Sequence, residues 1–236
     1  VANSQTHIAE NLARIHEEIR QACRAANRDE ADVALMAVSK FHPVEALVEA
    51  YGAGQRLFGE NRVQEMQQKF PTVGALAGID LHLIGPLQSN KSAKAAEIFH
   101  AIDTVDSLKL AERLSSAAAA LGRTLPILIE VKLSHEESKH GLAPEELPAL
   151  LDAIAPLPNL TLSGLMTVPP WSEDAETARP YFQHLRRLLD ESQKTHATMT
   201  QLSIGMSNDF HVAIEEGSTC IRIGTAIFGK RVPAAV

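Results

Sequence analysis

Residues 126–166 decide the fold. They read "PILIEVKL" (126–133), then "PEELPALLDAIAPL" (144–157), then "LTLSGLM" (160–166). The first run is short and apolar, as a strand buried on both faces should be. The second has the length and spacing of a helix, and the third is again a strand. A strand, a helix and a strand in succession make the unit of a parallel sheet covered by helices.

The same alternation extends in both directions. Upstream, "DVALMAV" (32–38) reads as a buried strand. Pro43 stands at the first turn of the helix that follows it, and Gly52 at that helix's end. "QRLFGEN" (55–61) and "LHLIG" (81–85) are further strands, the second followed by a helix over 89–99. "AIDTVD" (101–106) is a strand, and "SLKLAERLSSAAAALG" (107–122) a helix. Downstream, a helix over 174–194 precedes the strand "TQLSIGM" (200–206). A helix over 208–216 then leads to the last strand, "TCIRIG" (219–224), and a short tail. Before all of these, Ile8, Leu12, Ile15 and Ile19 share one face of a leading helix that ends before Asn27. About eight strand–helix units behind one helix predict an α/β fold, a single (β/α)8 barrel of the TIM type over 1–236. An open doubly wound sheet is the alternative, because one sequence does not reveal closure.

Composition narrows the function. The chain of 236 residues is 45% apolar, with a formal charge of -7, which argues against a nucleic-acid binder. It contains no apolar run of membrane-spanning length, and its polar, then helical start leads us to expect no signal peptide and no membrane partner. Cys23 and Cys220 are far apart and in no metal spacing, which fits a reducing cytoplasm and no metal site.

In a barrel of this type, chemistry belongs at the C-terminal ends of the strands. In order, those ends offer Lys40; Glu60 and Asn61; Gly85, Gln88 and Asn90; Asp103 and Asp106. They continue with Lys132, Ser134 and His135; Met166; Ser203, Gly205 and Ser207; and Arg222, Gly224 and Thr225. "LSIGMSND" (202–209) places two serines and a glycine between a strand and a helix. Ser207 is the expected N-cap, and Asp209 complements the helix dipole. "RIGTAIFG" (222–229) places Gly-Thr directly after a strand. Backbone N–H groups and hydroxyls at such turns cradle a phosphate without net positive charge. Each piece alone also reads as ordinary capping and turning.

Other patterns are weaker. "YGAGQRLFG" (51–59) lacks the third glycine of a dinucleotide fingerprint and follows a helix. His135 and His140 are five apart, the wrong spacing for a helical zinc pair. His82 and His100 read as structural histidines.

A lysine at one strand end and a phosphate cradle at two others suggest pyridoxal 5′-phosphate (PLP), which needs an amine for a Schiff base and donors for its phosphate. An inward Arg222 would face the pyridine nitrogen and, being always protonated, could not accept a proton from it. A phosphorylated metabolite bound without any Schiff base is the competing reading. On the residues alone, a solvated strand end accounts for Lys40 more cheaply than a reactive amine does.

The stretches "AVSKFHP", "FGENRVQE", "HLIGPLQSNK", "TVDSLKLAERL", "SKHGL", "LSGLMTVPP", "LSIGMSNDFHVAIEEGST" and "RIGTAIFG" span nearly the whole chain in order. Through them the sequence resembles the YggS/PROSC family of pyridoxal phosphate homeostasis proteins. The resemblance implies a barrel like the N-terminal domain of alanine racemase, PLP fold type III, with PLP held as a Schiff base on Lys40. It implies Asn61 beside the cofactor ring and Arg222 facing the pyridine nitrogen. Ser203, Ser207, Gly224 and Thr225 would bind or adjoin the phosphate. Phe41-His42 and Asn208 fall where the family is expected to vary. The resemblance further implies a role in vitamin B6 and amino-acid homeostasis with no established catalysis and no catalytic residue. A PLP-dependent racemase or decarboxylase of the same fold is the alternative. The related racemases carry a second, β-rich domain that supplies an opposing base. A chain ending soon after the last barrel strand is expected to lack it. The expected partners are PLP and PLP-dependent apo-enzymes as recipients, and the expected state is a monomer.

Overall fold

The computed structural model describes residues 7–134 and 140–229. Its elements run α1 (Ile8–Ala25), β1 (Ala34–Val38), α2 (Val44–Gly52), β2 (Leu57–Glu60), α3 (Val63–Val73) and β3 (Asp80–Leu83). They continue with α4 (Ser92–Ile98), β4 (Ala101–Val105), α5 (Leu108–Ala120), β5 (Leu125–Glu130), α6 (Leu147–Ile154) and β6 (Leu160–Met166). The last are α7 (Arg179–Gln193), β7 (Gln201–Met206), α8 (Phe210–Glu215), β8 (Cys220–Ile223) and α9 (Thr225–Phe228). Short 3-10 turns lead into α4, α6 and α7, so these helices start later than their apolar patterns suggest. The stretch after β8, expected as a tail, opens with the one-turn helix α9.

The strands are all parallel and close on themselves in chain order, with β8 pairing β1 through Ala34–Cys220 and Met36–Arg222. This is the (β/α)8 barrel, and the open sheet is excluded. Closure divides each strand between two environments. Leu35, Phe58, Leu81, Ile127, Ile204 and Ile221 face outward into the core shared with the helices. Their neighbours Met36, Leu128 and Arg222 are equally buried but face the barrel axis. The leading helix buries Ile8, Leu12, Ile15 and Ile19 as its spacing predicts. It packs on α2, α8 and α9, and the Asn11 side-chain amide donates to the Ile227 carbonyl at 2.9 Å.

Close approach fixes one glycine in the wall. A Cβ on Gly164 would run into the backbone of Gln201 in β7, where the β5–β6 register also shifts. Only a residue without a side chain lets these strands meet there.

The lower barrel, at the N-terminal ends of the strands, holds a cavity of about 410 Å³ whose walls include Asp80, His82, Asp103 and Cys220. Asp103 was expected at a strand end. The strand alternation instead drives it into this lower layer, where its carboxylate lies 3.1 Å from His82 Nδ1. Asp80 Oδ1 lies 3.4 Å from Nε2. Burial alone would push the imidazole down. The Asp103 and Asp80 carboxylates outweigh it and raise its pKa to about 10. His82 is therefore a satisfied structural cation, as its sequence position suggested. Burial pushes the nearby Cys220 thiol up to about 12, so it stays protonated and inert.

Because the folded state holds the His82 proton well above the ordinary histidine value of 6.5, this stabilisation is complete below pH 6.5. It is lost as pH rises towards about 10. Urea midpoints measured across that range should fall with pH, and His82→Asn should flatten the profile.

Candidate functional site

The C-terminal ends of the strands surround a cavity of about 480 Å³. Lys40 reaches it from the turn after β1, Asn61 from the end of β2, and Arg222 from β8. Ser207 follows β7, and Gly224 and Thr225 follow β8 on the same wall. The structure thus brings together Lys40, Asn61, Ser207, Arg222, Gly224 and Thr225, which are spread over most of the sequence. Alternation explains their placement: Met36, Val38 and Lys40 take successive inward positions, as do Cys220 and Arg222.

Ser203 sits elsewhere. It is fully buried, and its hydroxyl and carbonyl oxygens accept hydrogen bonds from Arg222 Nη1 at 2.7 and 2.6 Å. The Thr167 carbonyl accepts from Nη2 at 2.9 Å. Ser203 therefore orients the guanidinium from beneath. Arg222 is only 4% exposed, and burial pushes its pKa down from the usual arginine range. Three acceptors in fixed positions keep the group in one orientation towards the cavity.

Ser207 does not cap α8. The turn Ser207-Asn208 separates it from the helix, and Asp209 takes the N-cap position. The Asp209 carboxylate accepts from the Met206 N–H at 2.6 Å, which closes the turn and leaves Ser207 exposed on the cavity wall. Gly205, at φ +96°, allows this tight path, since a Cβ would meet the Ala213 Cβ at 2.6 Å.

The other polar strand ends go to different places. Glu60 points outward from the barrel, where it contacts Ser39 and Lys69. Gln88 lines a neighbouring cavity of about 680 Å³ together with Arg62, Lys91 and His140. Asn90 belongs to a shallow groove beside α5. His135 lies outside the described residues. Among the described residues, no group of His, Cys, Asp and Glu could hold a metal ion, and no helix is long and apolar enough to cross a membrane.

Sequence reasoning missed several lining residues. Glu130, at the inward end of β5, and His140 join the wall, with Met206 and Trp171 near the mouth. Glu130 is legible in the sequence, because Leu128 and Glu130 share the inward parity of their strand, one inward step before the apparent tip at Lys132. Trp171 sits in a loop without periodicity and is 74% exposed. Gly85 was seen only as a strand end. A Cβ there would strike the backbone of Asn61, so glycine is what lets β3 pass close behind that residue.

A closed parallel barrel with a lysine, a buried arginine and hydroxyl-bearing turns at its C-terminal mouth matches the family described as "Alanine racemase, N-terminal domain", over residues 11–232. The chain belongs to that family and, within it, to the pyridoxal phosphate homeostasis proteins. It is 46% identical over 224 residues to the protein of that name from Pseudomonas aeruginosa, covering 95% of this chain and 96% of the relative. It is 43% identical over 230 residues to the one from Escherichia coli K12, covering 95% and 97%. Among solved structures, PipY of Synechococcus elongatus with PLP bound superposes with a TM-score of 0.84 at 41% identity, covering 94% of this chain and all of that one. The alanine racemase of Clostridium difficile shares the fold with a TM-score of 0.70 at 14% identity; the match covers 93% of this chain and 57% of the racemase.

Gly85→Ala should lower stability by about 2 kcal/mol through overpacking against Asn61. Urea unfolding reads that loss, and a stability equal to wild type would mean that the two strands part without cost.

Proposed function

We propose that this chain binds pyridoxal 5′-phosphate covalently through Lys40 and serves PLP homeostasis as a holder of the cofactor rather than a catalyst. The observation that carries the reading is the convergence of Lys40 with a buried, fully oriented Arg222 in one cavity of about 480 Å³. That size lies in the ordinary range for a small-molecule site. The donor set fits the group. Lys40 offers an amine on a flexible stem, while Ser207 and Thr225 offer exposed hydroxyls on neighbouring turns. Gly224 keeps the second turn open, since a Cβ there would crowd the Val38 carbonyl at 3.3 Å. Ser207, Gly224 and Thr225 would hold the phosphate, Asn61 would lie beside the ring, and Arg222 would face the ring nitrogen. The names of the relatives and the PLP-bound neighbour support PLP as the ligand.

When bound, PLP supplies an electrophilic carbonyl and, if its ring nitrogen is protonated, an electron sink. Arg222 works against the second property. A guanidinium keeps its own proton and donates hydrogen bonds only, so it leaves the ring nitrogen unprotonated. Ser203 and Thr167 hold it in that role from below. Lys40, on a partly buried turn, supplies the amine that anchors the cofactor. This arrangement favours holding over turnover. The same reading makes the protein a cytoplasmic monomer that passes PLP to apo-enzymes. Its cysteines support a reducing compartment, since Cys23 and Cys220 are both free.

Borohydride treatment of the PLP-loaded protein, followed by peptide mapping, should place the label on Lys40, and Lys40→Ala should lose it there. A label at other lysines only, or a colourless protein in excess PLP, would overturn the assignment. Steady turnover of a D- or L-amino acid, abolished by Lys40→Ala, would make it an enzyme instead. Arg222→Glu should permit protonation of the ring nitrogen and shift the visible absorbance band. An unchanged spectrum at intact affinity would remove Arg222 from the ring.

A further inference from the structure

Behind the lysine-bearing turn, on the outer side of the barrel wall, lies a buried ionic network that the cofactor site does not touch. Lys69, on α3, is at its centre, with its side chain 9% exposed. Its ammonium donates to Glu60 Oε1 at 2.7 Å, to Glu65 Oε1 at 2.8 Å and to the Ser39 carbonyl at 3.1 Å, which uses all three of its N–H groups. Glu60 Oε1 also accepts from the Ser39 hydroxyl at 2.7 Å, and Glu65 Oε1 from the Phe41 backbone N–H at 2.5 Å. The network therefore grips the residue before Lys40 at two points and the residue after it at one. Phe41 is held at φ +65°, a left-handed conformation that a side-chain-bearing residue rarely adopts. The Ser39 N–H donates to Gly59 O at 3.1 Å, so the same turn is tied to β2 as well.

A buried cation with two carboxylates is costly to assemble and is weak evidence for stability as such. Here its contacts converge on the peptide groups that flank one functional side chain. We propose that Lys69 is a positioning residue for Lys40: with Glu60 and Glu65 it clamps both flanks of the turn and fixes where the Lys40 amine enters the cofactor cavity. This rests on the reading of Lys40 as the residue that carries PLP. The clamp acts from outside the cavity, so it sets the geometry of attachment without occupying any of the space the cofactor needs. A displacement of about 1 Å at a reacting group can cost about a hundredfold in rate, so loosening such a clamp has visible consequences.

The test compares wild type, Lys69→Met, Glu65→Gln and Ser39→Ala, each loaded with PLP after far-UV circular dichroism has shown it folded. Two quantities are read: the PLP dissociation constant, and the induced circular dichroism of the visible cofactor band, which reports how rigidly the bound ring is oriented. Lys69→Met should bind PLP about tenfold more weakly and lose most of the induced band. Glu65→Gln and Ser39→Ala should change both in the same direction by smaller factors. A purely structural role would lower the melting temperature and leave the band of the folded, loaded protein intact. Folded variants with wild-type affinity and an unchanged band overturn the proposal. Should Lys69→Met fail to fold, Glu65→Gln and Ser39→Ala decide it by the same two readings. Borohydride labelling of the wild type separates the two levels. Label away from Lys40 sinks the functional reading, whereas label on Lys40 with unaffected variants sinks only the clamp.

Discussion

A parallel sheet that closes on itself has no edge, and every second residue of every strand must go inside. That constraint governs this molecule. The outward half of the strands is satisfied mainly by apolar packing against helices, with Glu60 an exception that bonds to Ser39 and Lys69. The inward half is a narrow column in which each polar residue needs a dedicated partner. His82 has Asp103 and Asp80, and Arg222 has Ser203 and Thr167. Buried polar groups of this kind survive only when their hydrogen bonds are supplied locally. The column is thus divided into a lower layer, where charges neutralise one another, and an upper layer, where charged groups stand at the cavity that holds Lys40.

Much of this was legible in the sequence, and the reasons are specific. The βαβ rhythm around "PILIEVKL" and the capping residues near the helices announced a barrel, because burial on both faces produces uniformly apolar strands. The upper-layer residues Lys40, Asn61, Arg222, Gly224 and Thr225 were found by reading strand ends. That method cannot tell inward from outward at the tip, where a single residue reverses the side. It therefore admitted Glu60, which faces α3, and Asp103, which belongs to the lower layer. It also passed over Glu130, whose parity with Leu128 would have shown it.

Ser207 and Ser203 differ from their sequence patterns for another reason. Serine favours the N-cap, which suggests Ser207, yet Asp209 two residues later stands at that position, and its carboxylate accepts from the Met206 N–H rather than from α8. Ser203 neighbours the phosphate-type turn in sequence, but its partner in space is Arg222. The network around Lys69 had no signature in the sequence. A lysine on a helix four residues after a glutamate usually reads as a solvated surface pair, and only the packing of α3 against the turn after β1 makes it an interior ion.

The chain contains a single tryptophan, and it stands at the mouth of the upper cavity, largely in solvent. No other indole is present to dilute its emission. The protein consequently carries its own optical gauge at the entrance to its site. Any chromophore that settles in the cavity will lie next to the one fluorophore that dominates the spectrum, so filling and emptying can be followed on the unlabelled protein, in real time and without touching a residue that does the holding.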